Sequence, residues 1–383
     1  MNAETPANTT RKVNLLIVVA GLGIGGAEMV IQHLVRTLDR TRFDVKVCCI
    51  KTLGTIGEQL ASDGFDVFAI SDPNAKRVDY FTFAKLLKVI RKHKIDILHS
   101  HSRDALADAA VCRLLTPRVK LVHTFHFGNY PNLSRRLMRF ERIFSKLATR
   151  LIAVGEVQRQ QLKSVHGFPD HRIGRVWNGV ARHSSNDGRA FRARLAIGNK
   201  VLVGTIATLI EQKGLRDLLA VAKKLRDDSD KFAFVVVGEG HMRTELEAMC
   251  RDLGLEDTVI FAGWVPGAAD VALPAFDIFF QPSLWEAMSI AILEAMAAAK
   301  PVVATTVGEN PHVITDGVDG LLVSPGDVDL MAHALRKLID DPALRARLGH
   351  SAVEKVAHQF TVEHMTRAYE SIYLDVLSRA RSS

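Results

Sequence analysis

Apolar runs alternate with amphipathic segments along almost the whole chain. In its first half "VNLLIVVA", "FDVKVCCI", "FDVFAI", "IDILHSH", "KLVHTFH" and "RLIAVG" predict strands. Apolar residues at helical spacing predict helices near 26–39, 56–63, 82–93, 103–115 and 133–149. The small, polar stretch "VARHSSNDGRAF" then interrupts the pattern as an interdomain linker would. Beyond it "KVLVGTIATL", "FAFVVVGEG", "TVIFAGWV", "IFFQPS", "PVVAT" and "GLLV" are strands separated by helices, and "FTVEHMTRAYESIYLDVLSRARSS" closes the chain as a helix. Alternating strands and helices of this kind build parallel sheets. The fold class is therefore α/β: two doubly wound, Rossmann-like domains facing each other across a cleft, with ligands at the carboxyl ends of the strands. The expected boundaries are 1–181 for the first domain, 190–360 for the second, and 361–383 for a helix crossing back to the first.

With 383 residues, 48% of them hydrophobic, the chain is long enough for two separate cores. The first twelve residues are polar, and the apolar run from Val13 to Gly26 is too short and too glycine-rich to span a bilayer. A cytoplasmic protein is expected. Cys48, Cys49, Cys112 and Cys250 lack metal-ligand spacing and read as reduced core residues. The net charge of +8 is unevenly spread: residues 1–180 hold 28 Lys and Arg against 15 Asp and Glu, and the remainder 22 against 27. A basic first half suggests an anionic partner. It lacks the aromatic interleaving of a nucleic-acid module, so nucleic acid is not expected.

Gly21, Gly23 and Gly26 form G-x-G-x-x-G after the first strand. A dinucleotide site also needs an acid at the end of the second strand, and Lys51 stands there. A phosphate-approaching loop and a simple tight turn both remain open. The second half is more specific. "TIATLIEQKG" ends a strand in a loop from which Lys213 projects as a point cation. In "QPSLWEAMSIAILEAMAAA" seven residues separate Glu286 from Glu294, and a helix over 288–299 would present the amides of Ala287, Met288 and Ser289 to an anion. Carboxylates beside such a site accept sugar and ribose hydroxyls, so the pattern points to a nucleoside diphosphate bearing a sugar. The bland alternative is a solvated helix face, which an acid inside so apolar a stretch fits poorly.

Taken in order, "GGAE", "EQKG", "VGEG", "EAMSIAILE", "EAMAAAKPVVAT" and "DGVDGLLVSPGD" make the chain resemble the family 4 retaining glycosyltransferases of the GT-B fold, the "group 1" class. The resemblance covers essentially the whole chain. It implies that Gly25 and Gly26 line the cleft beside the phosphates and that Lys213 neutralises the diphosphate. Glu286 would hold hydroxyls of the donor sugar with Ala287, Met288 and Ser289 nearby, and Glu294 the ribose. Gly238, Glu239 and Gly240 would shape the base and ribose pocket. His126 would face the transferred sugar as a catalytic residue with Lys213 and Glu286, while His101 and Arg103 would meet the acceptor. No metal and no cofactor is implied, the nucleotide sugar being a substrate. The implied reaction is transfer with retention, in which the departing phosphate oxygen takes the acceptor's proton. The implied pathway is bacterial polysaccharide or lipopolysaccharide assembly.

The chain departs from the family pattern in four places. Thr208 stands where a second diphosphate-binding Arg is usual, Ala287-Met288-Ser289 replaces Gly-Phe-Gly, Ala181 ends the "NGVA" stretch, and His312 replaces a late Glu. They bear on donor identity and keep two alternatives in view: a degenerate GT-B protein that binds a nucleotide sugar without transfer, and a GT-B nucleotide-sugar epimerase. Within "SRRLMRFERIFSKLATR", Leu137, Phe140, Phe144 and Leu147 share one helical face, and Arg135, Arg139, Arg142, Lys146 and Arg150 form a stripe opposite. A helix packed on the sheet and an anionic membrane surface near a lipid-linked acceptor both account for this pattern.

Overall fold

The computed structural model describes residues 11–71, 81–182 and 188–378. Part of the expected linker, 183–187, lies outside them. Strands β1 (Val13–Gly21), β2 (Phe43–Thr52), β3 (Asp66–Ala69), β4 (Ile97–Ser100), β5 (Lys120–Phe125), β6 (Arg150–Ala153) and β7 (Ile173–Arg175) form one sheet in the order β3-β2-β1-β4-β5-β6-β7. Strands β8 (Val201–Ile206), β9 (Phe232–Val237), β10 (Val259–Gly263), β11 (Ile278–Gln281), β12 (Val302–Thr305) and β13 (Leu321–Val323) form a second, ordered β10-β9-β8-β11-β12-β13. Every strand pairing is parallel, as the apolar runs require: Leu15 to Val18 and Val302 to Ala304 are fully buried because helices cover both faces.

In each sheet the order reverses beside its first strand, at β1/β4 and at β8/β11. Such a switch point opens a crevice between neighbouring loops: Gly25, Gly26, His101 and Arg103 follow the strands that flank the first, Lys213 and Glu286 those that flank the second, and His126 and Gly238–Gly240 follow the next strands out, β5 and β9. The strand β7 and the helix Glu156–His166 were not anticipated; β7 has only three residues and "IGR" carries little apolar signal.

The last helix, Val362–Ser378, packs against the first helix, Gly26–Thr37, and against β5. Thr366 and Thr37 exchange a hydroxyl hydrogen bond of 2.5 Å, and Glu370 accepts from the Asp39 amide at 2.9 Å. All four cysteines are buried and free, with burial pushing the Cys49 thiol up to about 12. Among the described residues no helix is long and apolar enough to cross a membrane.

Candidate active site

After β8 the chain makes a 3-10 turn, Glu211–Lys213, ended by Gly214 at φ 62. A Cβ on Gly214 would also collide with the carbonyl of Pro282, so only glycine lets this turn rest on the loop after β11. That contact brings Lys213 to Glu286: Nζ donates to Oε1 at 2.6 Å. The same oxygen accepts from Gln281 Nε2 and Ser283 Oγ, both at 2.8 Å, while among the described residues Oε2 accepts only from Gln212 Nε2 at 3.2 Å. Ser289 Oγ in turn donates to Gln281 Oε1 at 3.0 Å. Glu286 is buried, and its charge is tolerable because a cation and three neutral donors surround it. Oε2 keeps the capacity to accept from a substrate hydroxyl.

The following helix begins later than expected, at Ile290, with Ser289 as its N-cap accepting from the Ile292 amide. Ala287 and Met288 therefore stand in the preceding loop, and the first helix amides, those of Ile290 and Ala291, have no acceptor among the described residues. The two carbonyls before the helix are held from both domains. Asn178 donates its side-chain amide to the Met288 carbonyl at 3.2 Å, and the Ala287 carbonyl accepts from the Glu309 amide at 3.0 Å. One turn along the helix, Glu294 has no hydrogen-bond or ion-pair partner among the described residues. Burial, reinforced by the charge of Asp270, pushes its carboxyl up to about 7. An unpaired acid at that depth is a vacant acceptor.

The first domain meets this floor through three loops. A Cβ at Gly26 would touch Ile290 at 3.6 Å, so the Gly25–Gly26 loop faces the start of that helix. Gly128 lies so close to the Glu286–Ala287 peptide that any side chain there would collide with it. His126, two residues earlier, is thus carried to the rim of the same floor. Arg103 lies over the Phe127 ring at 5.1 Å, beside that loop. His101 is placed differently from its expected acceptor contact: it is buried, and both ring nitrogens are engaged by His99 and His126, so it stands behind His126.

A further residue escaped the sequence reading. Glu309, fully buried, accepts from the amides of Glu156 and Val157 at 2.8 and 3.0 Å and from Trp177 Nε1 at 3.1 Å. A carboxylate of the second domain thereby caps a helix of the first, where helix dipole and free amides favour it. His312, which replaces a usual acid, sits one turn on with Nδ1 3.5 Å from this carboxylate.

On the other side of Lys213, the loop Gly238–Glu239–Gly240 interlocks with residues 207–209: Leu209 donates to the Glu239 carbonyl at 3.0 Å, and Met242 to the Leu209 carbonyl at 3.1 Å. Thr208 is exposed on the same loop. Glu239 is paired with Arg243 at 3.0 Å. Lys51, which a phosphorylated dinucleotide would need, pairs with Asp104 at 2.9 Å on the surface.

The basic helix spans Arg135–Ser145 and turns most of its expected apolar face inward: Phe140, Phe144 and Leu147 are half-buried, the last two packed on the first domain's core beside Met138. Glu141 and Ser145 are buried on the same side, and Glu141 Oε1 pairs with His166 Nε2 at 2.9 Å. Leu137 is instead 41% exposed and Ile143 61%. Arg150 leaves the stripe, since it opens β6 and donates to the His171 carbonyl. The outer face thus mixes Leu137 and Ile143 with Arg135, Arg136, Arg139, Arg142 and Lys146, none of whose side chains pairs with a carboxylate among the described residues.

Two family models match the chain: Glycosyltransferase Family 4 over residues 24–183 and Glycosyl transferases group 1 over residues 187–355. A D-inositol 3-phosphate glycosyltransferase of Acidothermus cellulolyticus is 30% identical over 75% of this chain and 69% of its own. The Escherichia coli UDP-Gal:alpha-D-GlcNAc-diphosphoundecaprenol alpha-1,3-galactosyltransferase is 24% identical over 92% of this chain and 95% of its own. Among solved structures, Anabaena Alr3699/HepE in complex with UDP-glucose superposes with a TM-score of 0.82 at 21% identity, covering 96% of this chain and 99% of that one. The two parallel-sheet domains, the residues at their facing loops and these matches together show that the chain belongs to the family 4, group 1 glycosyltransferases, with the GT-B fold.

Proposed function

We propose that the protein is a retaining, metal-independent hexosyltransferase. It moves a sugar from a nucleoside diphosphate sugar to a hydroxyl of a saccharide carried on a lipid, in the assembly of lipopolysaccharide or surface polysaccharide. The observation that carries this reading is the half-buried Lys213 held 2.6 Å from buried Glu286, ahead of the helix that starts at Ile290, with Gly128 of the His126 loop pressed on the Glu286–Ala287 peptide. The names of the relatives support it: one transfers galactose from UDP-Gal to a diphosphoundecaprenol-linked sugar, and one neighbour holds UDP-glucose.

In this reading Lys213 and the helix amides take up the charge that develops on the diphosphate, Oε2 of Glu286 accepts a sugar hydroxyl, and Glu294 accepts from the ribose. Gly25, Gly26 and the Gly238–Gly240 loop border the donor, and Arg103 borders the acceptor. The bond between the anomeric carbon and phosphate oxygen breaks as the acceptor oxygen attacks from the same face, and the departing oxygen takes the acceptor's proton. No protein nucleophile is needed; positioning and charge stabilisation supply the rate. The test is incubation with UDP-, GDP- and ADP-hexoses and a polyprenyl-diphosphate saccharide. A glycosylated lipid whose new anomeric linkage matches the donor's is expected. Saturable donor binding without product would identify a transfer-inactive binder, and sugar interconversion without acceptor an epimerase.

The outer face of helix Arg135–Ser145 fits an anionic membrane at the inner side of the cytoplasmic membrane, with Leu137 and Ile143 entering the headgroup boundary and the cations above it. The helix is the next α-helix after β5, in the connection that also carries His126. Each cation near such a surface contributes about 1 kcal/mol. Arg139→Glu with Arg142→Glu should therefore weaken co-sedimentation with phosphatidylglycerol vesicles more than tenfold, and wild-type binding should fall with salt. Binding indifferent to both would remove the membrane from the proposal.

A further inference from the structure

Between the rim residue His126 and the last helix runs an unbroken chain of hydrogen bonds. His126 Nε2 lies 3.0 Å from His101 Nδ1, and His101 Nε2 lies 3.2 Å from His99 Nδ1. That same His99 nitrogen is 2.7 Å from the Tyr373 hydroxyl, and His99 Nε2 is 2.8 Å from Thr124 Oγ1. Thr124 in turn stands 3.3 Å from the Tyr369 hydroxyl. Strand geometry assembles the row: His99 and His101 leave one face of β4 and its extension, and Thr124 and His126 leave the same face of β5. Tyr369 and Tyr373, one helical turn apart on Val362–Ser378, close it from outside.

Burial and the neighbouring rings hold His99 and His101 well below the ordinary imidazole range, and burial holds His126 down at about 4. All three rings are neutral, so each has one N–H and one lone pair. Their direction follows from the end of the chain. Tyr373 is fully buried, and its hydroxyl has a single acceptor among the described residues, His99 Nδ1. It must donate there, since a buried phenol proton without an acceptor is costly. His99 therefore carries its proton on Nε2 and gives it to Thr124. His101 Nε2, facing the same lone pair, must be an N–H, which leaves Nδ1 to accept from His126 Nε2–H.

We infer that Tyr373, acting through His99 and His101, fixes the tautomer of His126 with Nδ1 unprotonated, so that His126 offers the cleft a hydrogen-bond acceptor. This rests on the transferase reading for its use: His126 would accept a hydrogen bond from a hydroxyl of the transferred sugar and would select donors that carry one there. Tyr373, His99 and His101 are positioning residues, since none of them touches substrate. Phenylalanine at 373 leaves both directions of the chain fully satisfied, so His126 would divide between its two tautomers.

Two readouts separate this from a packing role. In ligand-free protein, 15N resonances of the histidine side chains report which ring nitrogen is protonated, and the His126 signals are assigned by their loss in His126→Asn. The wild type should show His126 as the Nε2–H tautomer. Tyr373→Phe should move it to a mixture, and Tyr369→Phe, a change of equal size on the same helix, should leave it alone. In the presence of donor, Tyr373→Phe should lower kcat at least threefold with the dissociation constant for UDP alone within twofold of wild type. His126 as the Nδ1–H tautomer in the wild type, or unchanged in Tyr373→Phe, would overturn the inference. A wild type that binds no nucleoside diphosphate would instead overturn the transferase reading and leave the tautomer assignment standing.

Discussion

Lys213→Ala should lower kcat by 10² to 10³, about the effect of removing one preorganised charge-stabilising donor from an active site. The argument rests on what holds the lysine. Gly214, in the left-handed region and pressed on Pro282, allows the turn no other path, and Glu286 draws Nζ into the floor at 2.6 Å. Lys213 is thus in place before donor arrives, and Thr208 provides no second cation beside it. The same substitution strips a buried carboxylate of its counter-charge, which costs about 3 kcal/mol or more of stability. The two effects are separable. Adding Glu286→Gln should recover most of the lost urea stability, because a neutral amide needs no cation, yet recover no turnover. Parallel urea melts and steady-state kinetics on both variants check this. A Lys213→Ala enzyme within tenfold of wild type would place the stabilising charge elsewhere.

How much of this was legible without coordinates differs between sheet and site. Twelve of the thirteen strands among the described residues lie in apolar runs that could be read directly; β7, three residues with a central glycine, could not. The positions of Lys213, Glu286 and Glu294 follow from their distance past strands β8 and β11, which local pattern sets well. What escaped were groups whose role depends on partners far away in sequence. Glu309 reads as an ordinary loop acid until Glu156, Val157 and Trp177, more than 130 residues away, supply its donors. The carbonyl of Met288, left outside the helix that starts at Ile290 rather than 288, is likewise held by Asn178 across the interface. The wheel of the basic helix placed Phe140, Phe144 and Leu147 inward correctly but not Leu137, because the Glu141–His166 pair shares the inner side and leaves Leu137 and Ile143 outside. His101 was expected on the acceptor side, and the row of rings that sets it behind His126 becomes visible only when β4 and β5 are laid in register.

Glu294→Gln should make the ligand-free protein more stable and the donor site weaker, and the pH at which this happens is set by the carboxyl itself. Its folded value, about 7, lies above the ordinary 4.5 because burial and Asp270 oppose ionisation. Between those two pH values the folded protein keeps a proton that the unfolded chain has released, so rising pH favours unfolding across that window and no further above it. The cost of the ionised acid accumulates to about 3 kcal/mol by pH 8. Glutamine never ionises and escapes it. The stability difference between variant and wild type should therefore be near zero at pH 4.5, grow through pH 7 and level off, as urea melts across that range would show. Nucleotide binding should run the other way. An ionised carboxylate accepts from ribose hydroxyls more strongly than an amide, and a charge-assisted bond of about 1.5 to 3 kcal/mol corresponds to a tenfold or greater loss of affinity in Glu294→Gln at pH 8. Wild-type affinity should rise from pH 6 to 8 as the acid ionises, and the variant's should stay flat. A residue that merely filled space between the helix and its sheet would gain stability on substitution without losing nucleotide, and a flat wild-type profile would move the ribose away from Glu294.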